Sequence, residues 1–141
     1  MIKENCSLYV YTDGSSRGNP GKSAIAFTIY DDKGKTVSEK SMSTGVSTNN
    51  VAEYKALIAA LGEASKFCRG EIFCFSDSKL MISQITNLYK IKKKHLIELS
   101  TELKNKEKVF KRVKYTHLQE TDPRIARVDK LAKQKTRRAV E

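Results

Sequence analysis

The stretch Leu8–Gly21 reads LYVYTDGSSRGNPG, and its first six residues alternate as a strand does. Leu8, Val10 and Thr12 face one way; Tyr9, Tyr11 and Asp13 face the other. Gly14, two serines and the turn formers Gly18-Asn19-Pro20-Gly21 follow, and they predict that the strand stops at Asp13. An aromatic, β-branched strand of this kind belongs in the middle of a sheet. Asp13 is therefore expected as a carboxylate at the tip of a buried strand, where a charge is costly unless something compensates it. A cap or Asx-turn explains one such Asp. It does not explain three further acids in matching positions.

Downstream, Ser23–Tyr30 (SAIAFTIY) reads as a second strand, Asp31-Asp32-Lys33-Gly34 as a hairpin turn, and Lys35–Ser43 as a more polar edge strand. These make an antiparallel meander. Thr48 or Asn49 caps a helix over about Asn50–Lys66, with Val51, Tyr54, Leu57, Ile58, Leu61 and Ala64 as its apolar face. Glu53 shares a side with Leu57, Ala60 and Ala64, so an acid in the first turn leans towards the sheet. Glu71–Asp77 (EIFCFSD) is an apolar strand that again ends in Asp then Ser. A strand after a long helix predicts a crossover and parallel pairing with the first strand, which sets Asp77 and Asp13 at one sheet edge.

Ser78 caps a helix over Lys79–Tyr89 with Met81, Ile85 and Leu88 inward. The basic patch Lys90–His95 leads into a helix to about Lys106 on the stripe Leu96, Leu99 and Leu103. Val109–Leu118 is the last strand. Asp122-Pro123 opens a final helix to about Arg138, whose inner stripe of Ile125, Val128 and Ala132 encloses Asp129. Lys130, Lys133, Lys135, Arg137 and Arg138 gather towards its end, where cations suit the helix dipole.

The chain of 141 residues is long enough for one domain, 1–141, with its own core. Its hydrophobic fraction is 39%, no apolar run reaches membrane-spanning length, and the polar start Met1–Asn5 is not a signal peptide. A cytoplasmic protein with no membrane partner is the expectation. Lys plus Arg number 27 against 16 Asp plus Glu, a net charge of +11, which favours a polyanionic partner, nucleic acid first. Cys6, Cys68 and Cys74 lack metal-site spacing and read as reduced packing residues, with a Cys68–Cys74 bridge as the less expected alternative.

Asp13, Glu53, Asp77 and Asp129 thus occupy two strand ends and two sheet-facing helix sides, with no lysine or arginine expected on the same stripes. Uncompensated, they would repel one another in a partly buried site. Oxygen-only clusters of acids suit Mg²⁺ or Mn²⁺, and a pair of such ions is the clamp used for in-line phosphodiester cleavage. A basic protein with an acidic metal pocket points to a nuclease or a related phosphoryl-transfer enzyme. No Ser-His-Asp pattern, GxxxxGK loop or zinc spacing competes.

The runs Y-T-D-G-S-S-x-G-N-P-G, T-N-N-x-A-E-Y, S-D-S and V-D-K-L-A, in this order, resemble ribonuclease H of type 1 over about Ser7–Gln134. The resemblance implies an α/β, ribonuclease H-like fold: a mixed five-stranded sheet in the order 3-2-1-4-5 with helices on both faces. It implies that Asp13, Glu53, Asp77 and Asp129 hold two Mg²⁺ ions, with Mn²⁺ as substitute. Asp13 would bridge both, Asp129 would complete the nucleophile-side ion, and Glu53 and Asp77 the leaving-group side. It further implies cleavage of the RNA strand of an RNA–DNA hybrid, leaving 5′-phosphate and 3′-hydroxyl ends.

Substrate contacts carry over as well. The family reads RNA 2′-hydroxyls at positions matching Gly14, Ser15, Ser16, Asn50 and Glu53. It holds a DNA phosphate at positions matching Asn19, Thr48 and Asn49. Ser78 has a minor-groove role secondary to capping. Two departures stand out. The loop Leu118–Asp122 lacks the His that many members carry; His117 just before it is one stand-in, and Gln119, Glu120 or Arg124 are alternatives for part of the role. The long basic protrusion of some members is missing, with Lys90–Lys94 as a short substitute. A monomer is expected. The alternatives are a non-catalytic hybrid- or duplex-binding module, or another nuclease of the same superfamily.

Overall fold

A strand, β1 (Ser7–Gly18), runs straight through the predicted stop at Asp13. The computed structural model describes residues 3–137. Strand β1 continues because β2 (Gly21–Asp31) pairs with it antiparallel along its whole length, from Leu8↔Asp31 to Gly18↔Gly21. Paired backbone groups hold Gly14 and the serines extended, where their intrinsic preference is for turns. Asp13 is therefore within a strand and not at its tip. The hairpin closes through a cis Asn19–Pro20 peptide, and a Cβ on Gly21 would lie 1.9 Å from the Arg17 carbonyl oxygen. The edge strand is β3 (Thr36–Ser47), joined by the expected Asp31–Gly34 turn. There Asp31 Oδ1 accepts from the Lys33 and Lys35 N–H groups, each at 2.9 Å.

Helix α1 (Asn49–Ala64) crosses the sheet to β4 (Glu71–Ser76), which pairs parallel with β1. Next come α2 (Lys79–Ile85), α3 (Lys94–Glu107), β5 (Arg112–His117), parallel to β4, and α4 (Pro123–Arg137). The sheet order is β3-β2-β1-β4-β5, as the sequence implied. Helices α1, α2 and α3 bury Tyr54, Leu57, Leu61, Met81, Leu96 and Leu103 against Leu8, Val10 and Ile72 on one face. Helix α4 covers the other face, with Ile125, Val128 and Ala132 against Tyr11, Ala26 and Tyr30.

Several expected boundaries move. With α1 starting at Asn49, Glu53 belongs to its second turn. Helix α2 stops at Ile85, because Asn87 takes a left-handed φ of 66°; Leu88, expected inward, is 77% exposed. Strand β5 begins at Arg112, after an exposed Val109 and a buried Phe110. Helix α4 carries Lys130, Lys133 and Lys135 of the expected basic cluster, and Arg138 falls outside the described residues. No described helix is long and apolar enough to cross a membrane.

The cysteine expectation is also corrected. Cys6 and Cys68 form a disulfide across a sequence separation of 62, and Cys74 is free and buried. The segment before β1 lies along the turn after α1, where Arg69 N–H donates to the Lys3 carbonyl at 2.8 Å and Glu71 N–H to the Cys6 carbonyl at 3.0 Å. That docking brings the two sulfurs together.

Candidate active site

The last rung shared by β1 and β4 is Tyr11↔Phe75. Asp13 and Asp77 each lie two residues beyond it, on the side of the stacked Tyr11 and Phe75 rings, whose centroids are 4.6 Å apart. The notch past that rung receives Glu53 from α1. Thr48 starts that helix by accepting the Val51 N–H at 3.3 Å. Gly14 N–H donates to Glu53 Oε1 at 2.8 Å. This contact requires glycine, since a Cβ at position 14 would lie 2.2 Å from the Ala52 carbonyl carbon.

Asp13, Glu53 and Asp77 each bring a carboxylate oxygen within 4.8 Å of the other two. Asp13 is 3% exposed. Burial, followed by the charges of Glu53, Asp77 and Asp129, pushes its carboxyl up to about 10. Burial likewise raises Glu53 to about 8, opposed by the Gly14 N–H. Asp77 is raised by burial and then by Asp129. Three acids that resist ionisation together, in one notch, form a hard-oxygen set whose charge a divalent cation relieves. The donor set fits Mg²⁺ or Mn²⁺.

Asp129, on α4, comes within hydrogen-bonding reach of Asp13 but is not part of the group whose oxygens all lie within 4.8 Å of one another. Lys133 Nζ lies 3.1 Å from Asp129 Oδ2. The expectation that no cation shares the acids' stripes is thereby corrected for Asp129, because residues four apart on a helix are neighbours. His117 pairs with Ser76 at the end of β5, and its charge lowers the proton affinity of Asp77, while Glu120 on the following loop raises it.

The proposed substrate contacts surround this notch. Ser16 N–H donates to Asn49 Oδ1 at 2.9 Å, and Asn49 N–H donates to Asn19 Oδ1 at 3.0 Å. Both amide oxygens are thus used within the protein, and each residue keeps its NH₂ group as a donor. Ser16 Oγ donates to the Ser47 carbonyl at 2.9 Å, and Ser15 faces Ala24 across the hairpin. Asn50 Oδ1 is buried with no donor among the described residues, beside the α1 N-terminus. Ser78 accepts the Met81 N–H at 3.2 Å and caps α2. The lysines at 90–94 sit on the α2–α3 connection and the start of α3, away from the triad's own elements. Two contributors escaped the sequence reading. The Gly14–Glu53 bond had no local signal; Lys133 had one, its spacing of four from Asp129.

The RNase H family pattern matches residues 5–137. The bifunctional protein Rv2228c of Mycobacterium tuberculosis is 34% identical over 109 residues, covering 77% of this chain and 30% of that protein. Ribonuclease HI of Halobacterium salinarum is 42% identical over 82 residues, 58% of this chain and 41% of that protein. The chain thus spans well under half the length of these relatives. Among solved structures, LC11-RNase H1 in complex with an RNA/DNA hybrid superposes with a TM-score of 0.86 at 33% identity, covering 95% of this chain and 99% of that one.

Proposed function

Because this chain belongs to the type 1 ribonuclease H family, we propose that it is a single catalytic domain, 1–141, that hydrolyses the RNA strand of RNA–DNA hybrids. Cleavage is endonucleolytic and leaves 5′-phosphate and 3′-hydroxyl ends. The observation that carries this reading is the convergence of Asp13, Glu53 and Asp77 within 4.8 Å, with no ion pair to any of the three among the described residues. The likeness to a protein solved with a hybrid bound adds support.

Two Mg²⁺ ions, for which Mn²⁺ substitutes, would when bound neutralise the scissile phosphate and acidify the attacking water. Asp13 would hold both, Glu53 and Asp77 one, and Asp129 the other. The chain's other groups select and orient the substrate. The NH₂ groups of Asn19 and Asn49, with the Thr48 hydroxyl, offer neutral donors to a DNA phosphate. Asn50 belongs with the residues that read ribose 2′-hydroxyls, the group that distinguishes RNA from DNA. Gly14, Ser15 and Ser16 line the approach, and Ser78 joins them at the α2 cap. His117, within electrostatic reach of Asp77, would assist proton transfer or product release. The basic balance of +11 favours the hybrid's phosphates electrostatically. The protein is a monomer that acts in the cytoplasm.

The test is cleavage of an end-labelled hybrid by the intact protein and by Asp13→Asn, with and without EDTA. Loss of cleavage in both EDTA and Asp13→Asn is expected. Cleavage that persists in both ends the metal reading, and cutting of duplex or branched DNA but not of hybrid ends the substrate reading.

A further inference from the structure

The four acids are not equivalent. Asp13, Glu53 and Asp77 form a close group with oxygens within 4.8 Å, and none is ion-paired among the described residues. Asp129 stands at the rim with its side chain 34% exposed, and it holds Lys133 at 3.1 Å. The charges of Asp13 and Glu120 also favour the Lys133 ammonium. A lysine ammonium thus already lies against Oδ2 of the Asp129 carboxylate.

We propose that Lys133 is a resident counter-cation that competes with the second divalent ion for Asp129, so that metal loads in two unequal steps. The proposal rests on reading the acids as metal ligands. The triad is open and loads first. The second ion needs the Asp129 carboxylate, and an ammonium and a dication cannot share that oxygen without strong repulsion. Release is easy because Lys133 is 58% exposed and sits on a flexible stem. No backbone movement is needed, since the pair spans one turn of a single helix. An exposed pair of this kind is weak, so its removal tightens the second step by about fivefold rather than by orders of magnitude.

Calorimetric titration of Mn²⁺ into the metal-free protein, without nucleic acid, tests this in three forms: unaltered, Lys133→Gln and Lys133→Arg. The unaltered protein is expected to show a tight and a weaker step. Lys133→Gln should tighten the weaker step by about fivefold and move the first less, while Lys133→Arg should keep the unaltered pattern. A second step that Lys133→Gln leaves unchanged or weakens overturns the competition alone. Absence of any Mn²⁺ uptake by the unaltered protein overturns the metal reading and the competition with it.

Discussion

Gly14 donates its backbone N–H to Glu53 Oε1 at 2.8 Å, and it does so because the residue has no side chain. A strand and a helix meet here at a distance no Cβ permits, with Ala52 and Glu53 backbone atoms 2.2–2.4 Å from where one would sit. The same contact brings an acid of α1 into the notch beside Asp13.

Gly14→Ala should therefore damage both stability and chemistry. Forcing a methyl into that contact costs about 2 kcal/mol or more, and it pushes Glu53 away from Asp13. Urea denaturation should show the loss. Hybrid cleavage should fall by at least about tenfold, the cost of about 1.4 kcal/mol in transition-state stabilisation. A variant with unaltered denaturation midpoint and activity would mean that the close approach has no consequence.

Asp13→Asn should stabilise the metal-free protein while abolishing cleavage. Burial and three neighbouring carboxylates hold the proton on Asp13 up to about 10, against an ordinary 3.8. Its folded-state pKa is raised, so between those limits the folded chain binds a proton that the unfolded chain has lost, and stability falls as pH rises. Asn removes that dependence. With EDTA present, thermal scans from pH 5 to 9 should show a flatter profile for Asp13→Asn and a Tm about 3–5 °C higher at pH 8.

Glu63 gives the opposite sign in acid. Ser38 Oγ donates to it at 2.7 Å, and Lys40 and Lys66 lie 3.0 and 3.1 Å away. These partners, the Ser38 bond foremost, hold the Glu63 carboxyl down to about 2 against an ordinary 4.5. Its contribution is fully present above about 4.5 and is lost as pH falls towards 2. Both lysines are half or more exposed, so screening limits the effect to about 1 kcal/mol. Glu63→Gln should lower stability at pH 7 by that amount, and the difference from the unaltered protein should vanish near pH 2 in denaturant titrations.

Reduction of Cys6–Cys68 should lower stability without touching the chemistry. The bridge closes a loop with a separation of 62 residues, for which chain entropy gives up to about 4 kcal/mol. The bond lies at the end of the sheet where β4 begins, away from Asp13 and Asp77. Thermal scans with and without dithiothreitol should differ by several degrees, while initial cleavage rates below the transition should agree. Equal rates and equal Tm would show that the bridge adds nothing.

Strand and helix identities, their order and the four acids were legible in the sequence, because they rest on periodicity and on caps that act within a turn or two. Thr48, Ser78 and Asp122 cap helices where local chemistry says they should. The Asp129–Lys133 pair belonged to the same legible class, since four residues on a helix is a local spacing. Leu88 misled for the reverse reason: its helical spacing was right, but the left-handed Asn87 ends the turn before it.

Other features depended on backbones that approach one another from far along the chain. Strand β1 outruns its own turn formers because β2 supplies partners for every rung to Gly18. Cys6 meets Cys68 because the N-terminal segment docks on the turn after α1. Glu53 turns into the notch because Gly14, 39 residues away, lets two backbones almost touch. The sequence by itself determined which groups the chain owns and on which side of each element they stand. The tertiary structure decided which carboxylates share a notch, because that outcome depends on distances between elements that no local propensity encodes.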